Sequence, residues 1–113
     1  MHELAIAQEL TSIVLKTAGK EKLSVVSRVD VIFGKMIQVV PEIFEFAFRE
    51  SVRGSIAGEA VLSVELLPVR IRCRECGEET EAGDMIFSCS KCRSGNVVII
   101  QGKEIFIKSI EGE

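Results

Sequence analysis

The chain of 113 residues has no Trp, no Tyr and a single His, and its aromatic residues are six Phe. That His stands at position 2, every Cys falls in one motif, and no paired acid and base stands out. An enzyme built on nucleophilic or general acid–base chemistry therefore finds little to work with. Excess positive charge is also lacking. Fourteen Lys and Arg against seventeen Asp and Glu leave a net charge of −3 and a pI near 5.3. Such a balance argues against a protein that lives on nucleic-acid phosphate. No apolar run approaches the roughly 20 residues of a membrane-spanning helix. The N-terminus carries Glu3 and Glu9 without a basic lead-in, so no signal peptide is expected. A cytoplasmic protein with reduced thiols is the expectation that follows. Internal repeats and low-complexity segments are absent as well.

What is present is a real core, with 47% hydrophobic residues, and four cysteines in a single pattern. Cys73-Arg-Glu-Cys76 and Cys89-Ser-Lys-Cys92 are two Cys-x-x-Cys turns with twelve residues between them. Two thiolates separated by two residues reach one ion from one tight turn. Two such turns supply four sulfurs in a tetrahedron, the arrangement of a structural zinc site. Iron in a rubredoxin-like site is the minor option. A pair of disulfides or four unrelated thiols is the bland reading, and reducing surroundings weigh against disulfides. A closed four-sulfur site leaves no position for substrate, so this metal staples and does not catalyse. Gly77 and Gly95 lie where a chain bending around an ion needs unusual dihedrals.

Periodicity gives the remainder of the fold. From about Glu3 to Ala18 an amphipathic helix is expected, with Ile6, Leu10, Ile13, Val14 and Thr17 on its apolar face and Gly19 as its C-cap. Ser24 to Phe33 alternates as a strand through Val25, Val29, Val31 and Phe33, and Gly34 breaks it. Pro41 suits a first helical position, opening a helix to Val52 whose Ile43, Phe44, Phe46, Ala47 and Phe48 form a broad apolar face read as core. Ala60 to Leu67 reads as a strand with Ala60, Leu62, Val64 and Leu66 on one face, ended by Pro68. Asn96 to Ile100 and Glu104 to Ile110 read as two more, joined by a tight Gln101-Gly102-Lys103 connection. The expected class is α+β: a small sheet with two helices packed on it, plus an inserted four-cysteine zinc lobe. Residues 1–68 and 103–113 form one lobe and residues 69–102 the zinc-binding lobe, with the last strand returning to the main sheet.

The terminus carries its own chemistry. A lone terminal His is usually solvated. A free Met1 amine, the His2 amide nitrogen and the His2 imidazole can nevertheless close fused chelate rings on one ion. The Glu3 amide or an outside carboxylate can fill a fourth place. Planar nitrogen ligands suit nickel(II) or copper(II) rather than zinc. Met1 should stay in place, because removal of the initiator usually requires a small second residue.

The start Met1-His2-Glu3-Leu4, the strand ending Phe33-Gly34, the Phe-rich helix, the Cys-x-x-Cys pairs and the closing Gly102-x-Glu104 segment together resemble the HypA/HybF hydrogenase-maturation nickel chaperones. The resemblance spans essentially the whole chain. It implies a non-enzymatic nickel-delivery protein. Nickel would be held at His2, with Met1 and Glu3 as possible backbone ligands, and structural zinc at Cys73, Cys76, Cys89 and Cys92. Residues 1–68 and 103–113 would then be the nickel-binding lobe. The implied partners are a maturation GTPase and the large subunit of a [NiFe]-hydrogenase, with urease as a further client in some organisms. One departure stands out. Some relatives place an Asp just before the second helix as a further nickel ligand, where this sequence has Val39-Val40-Pro41. Glu42 or Glu3 is the nearest substitute. The rival is a zinc-ribbon module that binds nucleic acid or transcription machinery through Arg70, Arg72, Arg74, Lys91 and Arg93. Such a run is more often a solvated rim.

Overall fold

The computed structural model describes residues 3–83 and 86–113. Helix α1 runs Glu3–Lys20 and helix α2 Pro41–Val52, and the two pack against each other. Along α1 the buried residues are Glu3, Ala7, Leu10, Thr11, Val14 and Ala18. This stripe is rotated from the one expected and takes in the small side chains at 7, 11 and 18. Ile13 is pushed outward as a result and stays 46% exposed. It lines a groove with Thr17, Leu23, Ile107 and Ile110. Gly19 lies inside the helix and is not its cap; the left-handed residue after the helix is Lys22, at φ 58°.

Pro41 opens α2 at its first position, as its missing N–H and fixed φ favour. Phe44 and Phe48 stand one turn apart and meet with ring centroids 6.1 Å apart. They are buried with Ala47 and Val52. Phe46 does not join them. About 200° around the helix from Phe44, it points away from the core and is 69% exposed. The reading of all three Phe as core fails at this residue, since three aromatics within five positions cannot share one helix face.

Among the described residues there are six strands, in chain order β1 Val26–Gly34, β2 Val61–Leu67, β3 Arg70–Cys73, β4 Glu79–Glu81, β5 Val97–Gln101 and β6 Ile105–Gly112. They form two sheets of three strands, ordered β2-β1-β6 and β4-β3-β5. β1 is central in the first, which explains why Val29, Val31, Ile32 and Phe33 are buried on both of its faces. Val25 precedes the strand and is 41% exposed, against its expected place in the buried face. Leu66 is likewise exposed. Val25 and Glu113 exchange main-chain hydrogen bonds of 3.2 and 3.0 Å, and the Ser27 hydroxyl donates to the Glu111 carbonyl. β1 and β6 therefore run antiparallel, and the last strand returns to the main sheet.

The chain divides into two compact units. The first comprises Met1–Ile32, Val39–Glu65 and Phe106–Glu113, the second Phe33–Gln38 and Leu66–Ile105. In the second, β3 pairs antiparallel with both neighbours, setting Ile71 opposite Thr80 and Ile99. Its core is small: Val69, Ile71 and Ala82, with Met36, Val97 and Ile99 packed around them. Gly34 and Gly102 meet there backbone to backbone. A Cβ on Gly34 would fall 2.0 Å from the Gly102 carbonyl oxygen, and Gly102 itself takes φ 111°. Met36 N–H donates to the Gly102 carbonyl at 2.9 Å. The Gln101-Gly102-Lys103 connection is tight as expected, but it passes between strands of different sheets and closes no hairpin.

Candidate metal centre

Two loops of the second unit converge on one point, and they are near copies of each other. In the first, Cys73 N–H donates to Glu78 O and Gly77 N–H returns to Cys73 O, each at 2.9 Å. In the second, Cys89 N–H donates to Ser94 O at 2.8 Å and Arg93 N–H to Cys89 O at 2.9 Å. The residue four after the leading cysteine is left-handed in both, Gly77 at φ 80° and Arg93 at φ 65°. The second turn thus relies on Arg93 for the dihedral expected of Gly95. Within each loop two main-chain N–H groups point at the leading sulfur. Glu75 and Cys76 donate to Cys73 Sγ at 3.3 and 3.5 Å, and Lys91 and Cys92 to Cys89 Sγ at 3.3 and 3.4 Å. This pattern follows from the Cys-x-x-Cys spacing, which closes a turn around the first sulfur.

The leading cysteines, Cys73 and Cys89, are buried, whereas Cys76 and Cys92 are exposed. All four Sγ atoms lie within 4.8 Å of one another, with Cys73–Cys92 and Cys76–Cys89 at 3.5 Å. A tetrahedron with metal–sulfur bonds of about 2.3 Å has edges of roughly 3.8 Å. The spacings of the four sulfurs, from 3.5 Å to no more than 4.8 Å, bracket that figure. Asn96 ties the loops together, its Nδ2 donating to Glu75 Oε1 at 3.2 Å while its carbonyl accepts from Arg74 N–H at 2.9 Å.

The electrostatics of the cluster call for a cation. The main-chain N–H of Cys92, then that of Lys91, stabilise the Cys89 thiolate and bring its pKa down to about 6. At Cys92 the main-chain N–H of Ser94 also favours the thiolate. Hydrogen bonding with the Cys73 sulfur, burial and the other thiols outweigh it and push the group up to about 12. Cys76 is raised in the same way: the Glu78 N–H lowers it, but the Cys89 sulfur and burial win. One thiolate forms readily, and crowding resists the next. Cys73, Cys76, Cys89 and Cys92 would hold a divalent ion, whose charge would offset that penalty and favour the thiolates.

The arginine rim is not an unopposed positive surface. Arg72 Nε contacts Glu79 Oε2 at 3.0 Å, and Arg70 stands opposite Glu81 in the ladder. At the other predicted site, Met1 and His2 lie outside the described residues. Glu3 begins α1, its side chain buried, and its Oε2 accepts the Val40 N–H at 3.1 Å. Glu42 is exposed in the first turn of α2. The role of Glu3 at the entry to α2 was not legible in the sequence, because residues 3 and 40 are joined by no local pattern. No helix among the described residues is long and apolar enough to cross a membrane.

A family model described as hydrogenase/urease nickel incorporation, metallochaperone, HypA, matches residues 1–112. The hydrogenase maturation factor HypA of Moorella thermoacetica is 39% identical over 113 residues, covering all of both chains. That of Aquifex aeolicus is 34% identical over 113 residues, covering all of this chain and 98% of its own. The solution structure of the nickel metallochaperone HypA from Helicobacter pylori superposes with a TM-score of 0.73 at 27% identity, covering 99% of this chain and 97% of that one. A second solution structure of a HypA protein gives 0.76 at 27% identity. With its two helices, two small sheets and clustered cysteines, this chain belongs to the HypA family of nickel metallochaperones for hydrogenase maturation.

Proposed function

We propose that this chain carries nickel(II) at its extreme N-terminus and delivers it for maturation of a [NiFe]-hydrogenase. The observation that carries the reading is the family match from residue 1 to residue 112, which takes in the Met-His-Glu start as well as the cysteine lobe. His2 supplies the imidazole, and the Met1 amine with main-chain nitrogens of the terminus, Glu3 included, completes a planar set that suits nickel(II). Residues 1–68 with 103–113 form the nickel-binding lobe, and residues 69–102 hold structural zinc at Cys73, Cys76, Cys89 and Cys92. The thiolate-rich donor set and the fit of its sulfurs support zinc there. The protein is a carrier and not an enzyme. It works in the cytoplasm beside a maturation GTPase and the hydrogenase large subunit, and urease is a further client where that enzyme is present.

A site at a chain terminus suits transfer, because a cargo ion must leave by ligand exchange with its acceptor. A closed four-sulfur site does the opposite and retains its ion. Nucleic-acid binding is not favoured, given the acidic total charge and a rim in which Arg72 is already paired.

Calorimetric titration with nickel on wild type and His2→Ala tests the reading. His2→Ala should lose nickel binding and keep its zinc by elemental analysis, since a terminal side chain contributes little to the fold. Nickel affinity should also weaken below about pH 6 as protons compete for the imidazole. Equal nickel binding by both proteins overturns the terminal site.

A further inference from the structure

The four sulfurs of the metal centre are chemically unequal. Cys73 and Cys89 are only 2% and 3% exposed, and the sulfur of each accepts two main-chain N–H groups of its own turn. Cys76 and Cys92 stand open to solvent. An oxidant arriving from solution therefore meets these two first. Their neighbours at 3.5 Å belong to the opposite turn. Cys92 meets Cys73, 19 positions away, and Cys76 meets Cys89, 13 positions away. Each exposed sulfur thus has a buried sulfur of the other loop beside it. Asn96 holds this arrangement by contacts outside the cluster, donating to Glu75 Oε1 and accepting from Arg74 N–H.

We propose that the cysteine lobe has a second closed state, in which peroxide replaces the metal staple by two disulfides across the loops, Cys73–Cys92 and Cys76–Cys89. The exposed Cys92 thiolate attacks hydrogen peroxide, takes one oxygen as sulfenic acid and releases hydroxide. The Cys73 thiolate then attacks the Cys92 sulfur, forms the S–S bond and expels a second hydroxide. Each sulfur gives up one electron, and one peroxide is reduced. Cys76 and Cys89 repeat the sequence with a second peroxide. A disulfide sulfur lacks the charge that holds a divalent ion, so the site gives up its metal. The inference rests on the zinc reading above for the ion released, but the pairing of the sulfurs does not depend on it. A disulfide inside either Cys-x-x-Cys turn would close one tight loop and leave the two turns untied. Bonds spanning 19 and 13 positions restrict the unfolded chain more and join the same turns that an ion joins. Oxidation should thus exchange one staple for another without unfolding the lobe.

The test uses the full-length, zinc-loaded protein and hydrogen peroxide. Zinc release is followed with a chromogenic chelator, and disulfides are mapped by peptide mass spectrometry after free thiols are blocked. About two equivalents of peroxide should free all the zinc and lower the mass of the chain by about 4 Da. The map should link Cys73 with Cys92 and Cys76 with Cys89. Amide exchange should find β3 and β5 still protected in the oxidised, metal-free chain, in contrast to reduced chain stripped by a chelator. A thiol reductant with added zinc should restore the starting state. Cys73→Ser combined with Cys92→Ser leaves one cross-loop pair, which about one equivalent should still close. Should that variant fail to fold, the map on wild type decides. Pairs within the turns, Cys73–Cys76 and Cys89–Cys92, overturn the proposal. So do sulfinic acids at Cys76 and Cys92, disulfides between chains, or zinc retained under excess peroxide. Strands as unprotected after oxidation as after stripping overturn it too. Purified protein that holds no zinc would instead overturn the zinc reading, and the disulfide map would still decide the pairing.

Discussion

The two units solve the problem of stability by different means. The first buries Val14, Val26, Val29, Val31, Phe44, Phe48 and Val52, a set large enough to drive folding by removing apolar surface from water. The second has three short strands around Val69, Ile71 and Ala82, and much of its length is turn. A core of that size does not repay the conformational entropy of some forty residues. Four thiols drawn within 4.8 Å of one another would supply the difference if an ion joined them. The contrast teaches that a small lobe can be specified by ligand spacing where it cannot be specified by packing.

The largest effect should follow from breaking that spacing. Cys89→Ser, or a strong chelator, withdraws metal-binding energy that for structural zinc sites is on the order of 10 kcal/mol. Amide exchange should then lose protection through β3 and β5 while α1 and α2 remain protected. Equal loss of protection in α1 under the same mild chelation would break the distinction between the units.

A substitution in the first unit should act through packing alone. Phe48→Ala removes a fully buried ring in contact with Phe44 and should cost about 3–5 kcal/mol in denaturant unfolding, with zinc content unchanged. Phe46→Ala, two residues away on the exposed face, should shift stability by no more than about 0.5 kcal/mol. Similar losses for both would mean that Phe46 is covered in solution.

That pair also marks the limit of what the sequence discloses. The clustering of the four sulfurs was readable, since Cys-x-x-Cys spacing dictates a local turn, although the left-handed residue of the second turn is Arg93 and not Gly95. Most element types were readable too, from Pro41 at a helix start and the return of β6 to the main sheet, but the short strands β3 and β4 carry no periodic signal and were not legible as strands. Faces were less so. Ile13 and Phe46 count as apolar in any periodic pattern, but which side of a helix meets the core depends on what packs there. Small residues such as Ala7 and Ala18 lie in the buried stripe of α1 without weighing in the pattern. Two further features lie beyond any local reading, the meeting of Gly34 with Gly102 and the reach of Glu3 to Val40. Both join positions that only the folded chain brings together.

The smallest effect concerns acid, and it compares the units once more. Each has a carboxylate held below its ordinary pKa. In the second, the Gly102 N–H, then the main-chain N–H groups of Glu104 itself and Lys103, lower Glu104 from 4.5. In the first, the Arg28 side chain, then the Ser109 hydroxyl, lower Asp30 from 3.8. A depressed folded-state pKa means that the stabilisation is complete above the unfolded value and fades as pH falls through the folded one. Acid should therefore weaken the second unit below about pH 4.5 as Glu104 responds, and the first only below about pH 3.8 as Asp30 responds. Glu104→Gln should flatten the pH dependence of β5 exchange while leaving that of α1 unchanged, and Asp30→Asn should flatten the pH dependence in β1. Both carboxylates are solvent-accessible, so each change should be small and should shrink with added salt. An acid response in the second unit that survives Glu104→Gln at full size would assign it to protonation of the metal-bound cysteines instead. Zinc release measured across the same pH range separates the two, because thiolate protonation frees the ion and Glu104 protonation leaves it bound.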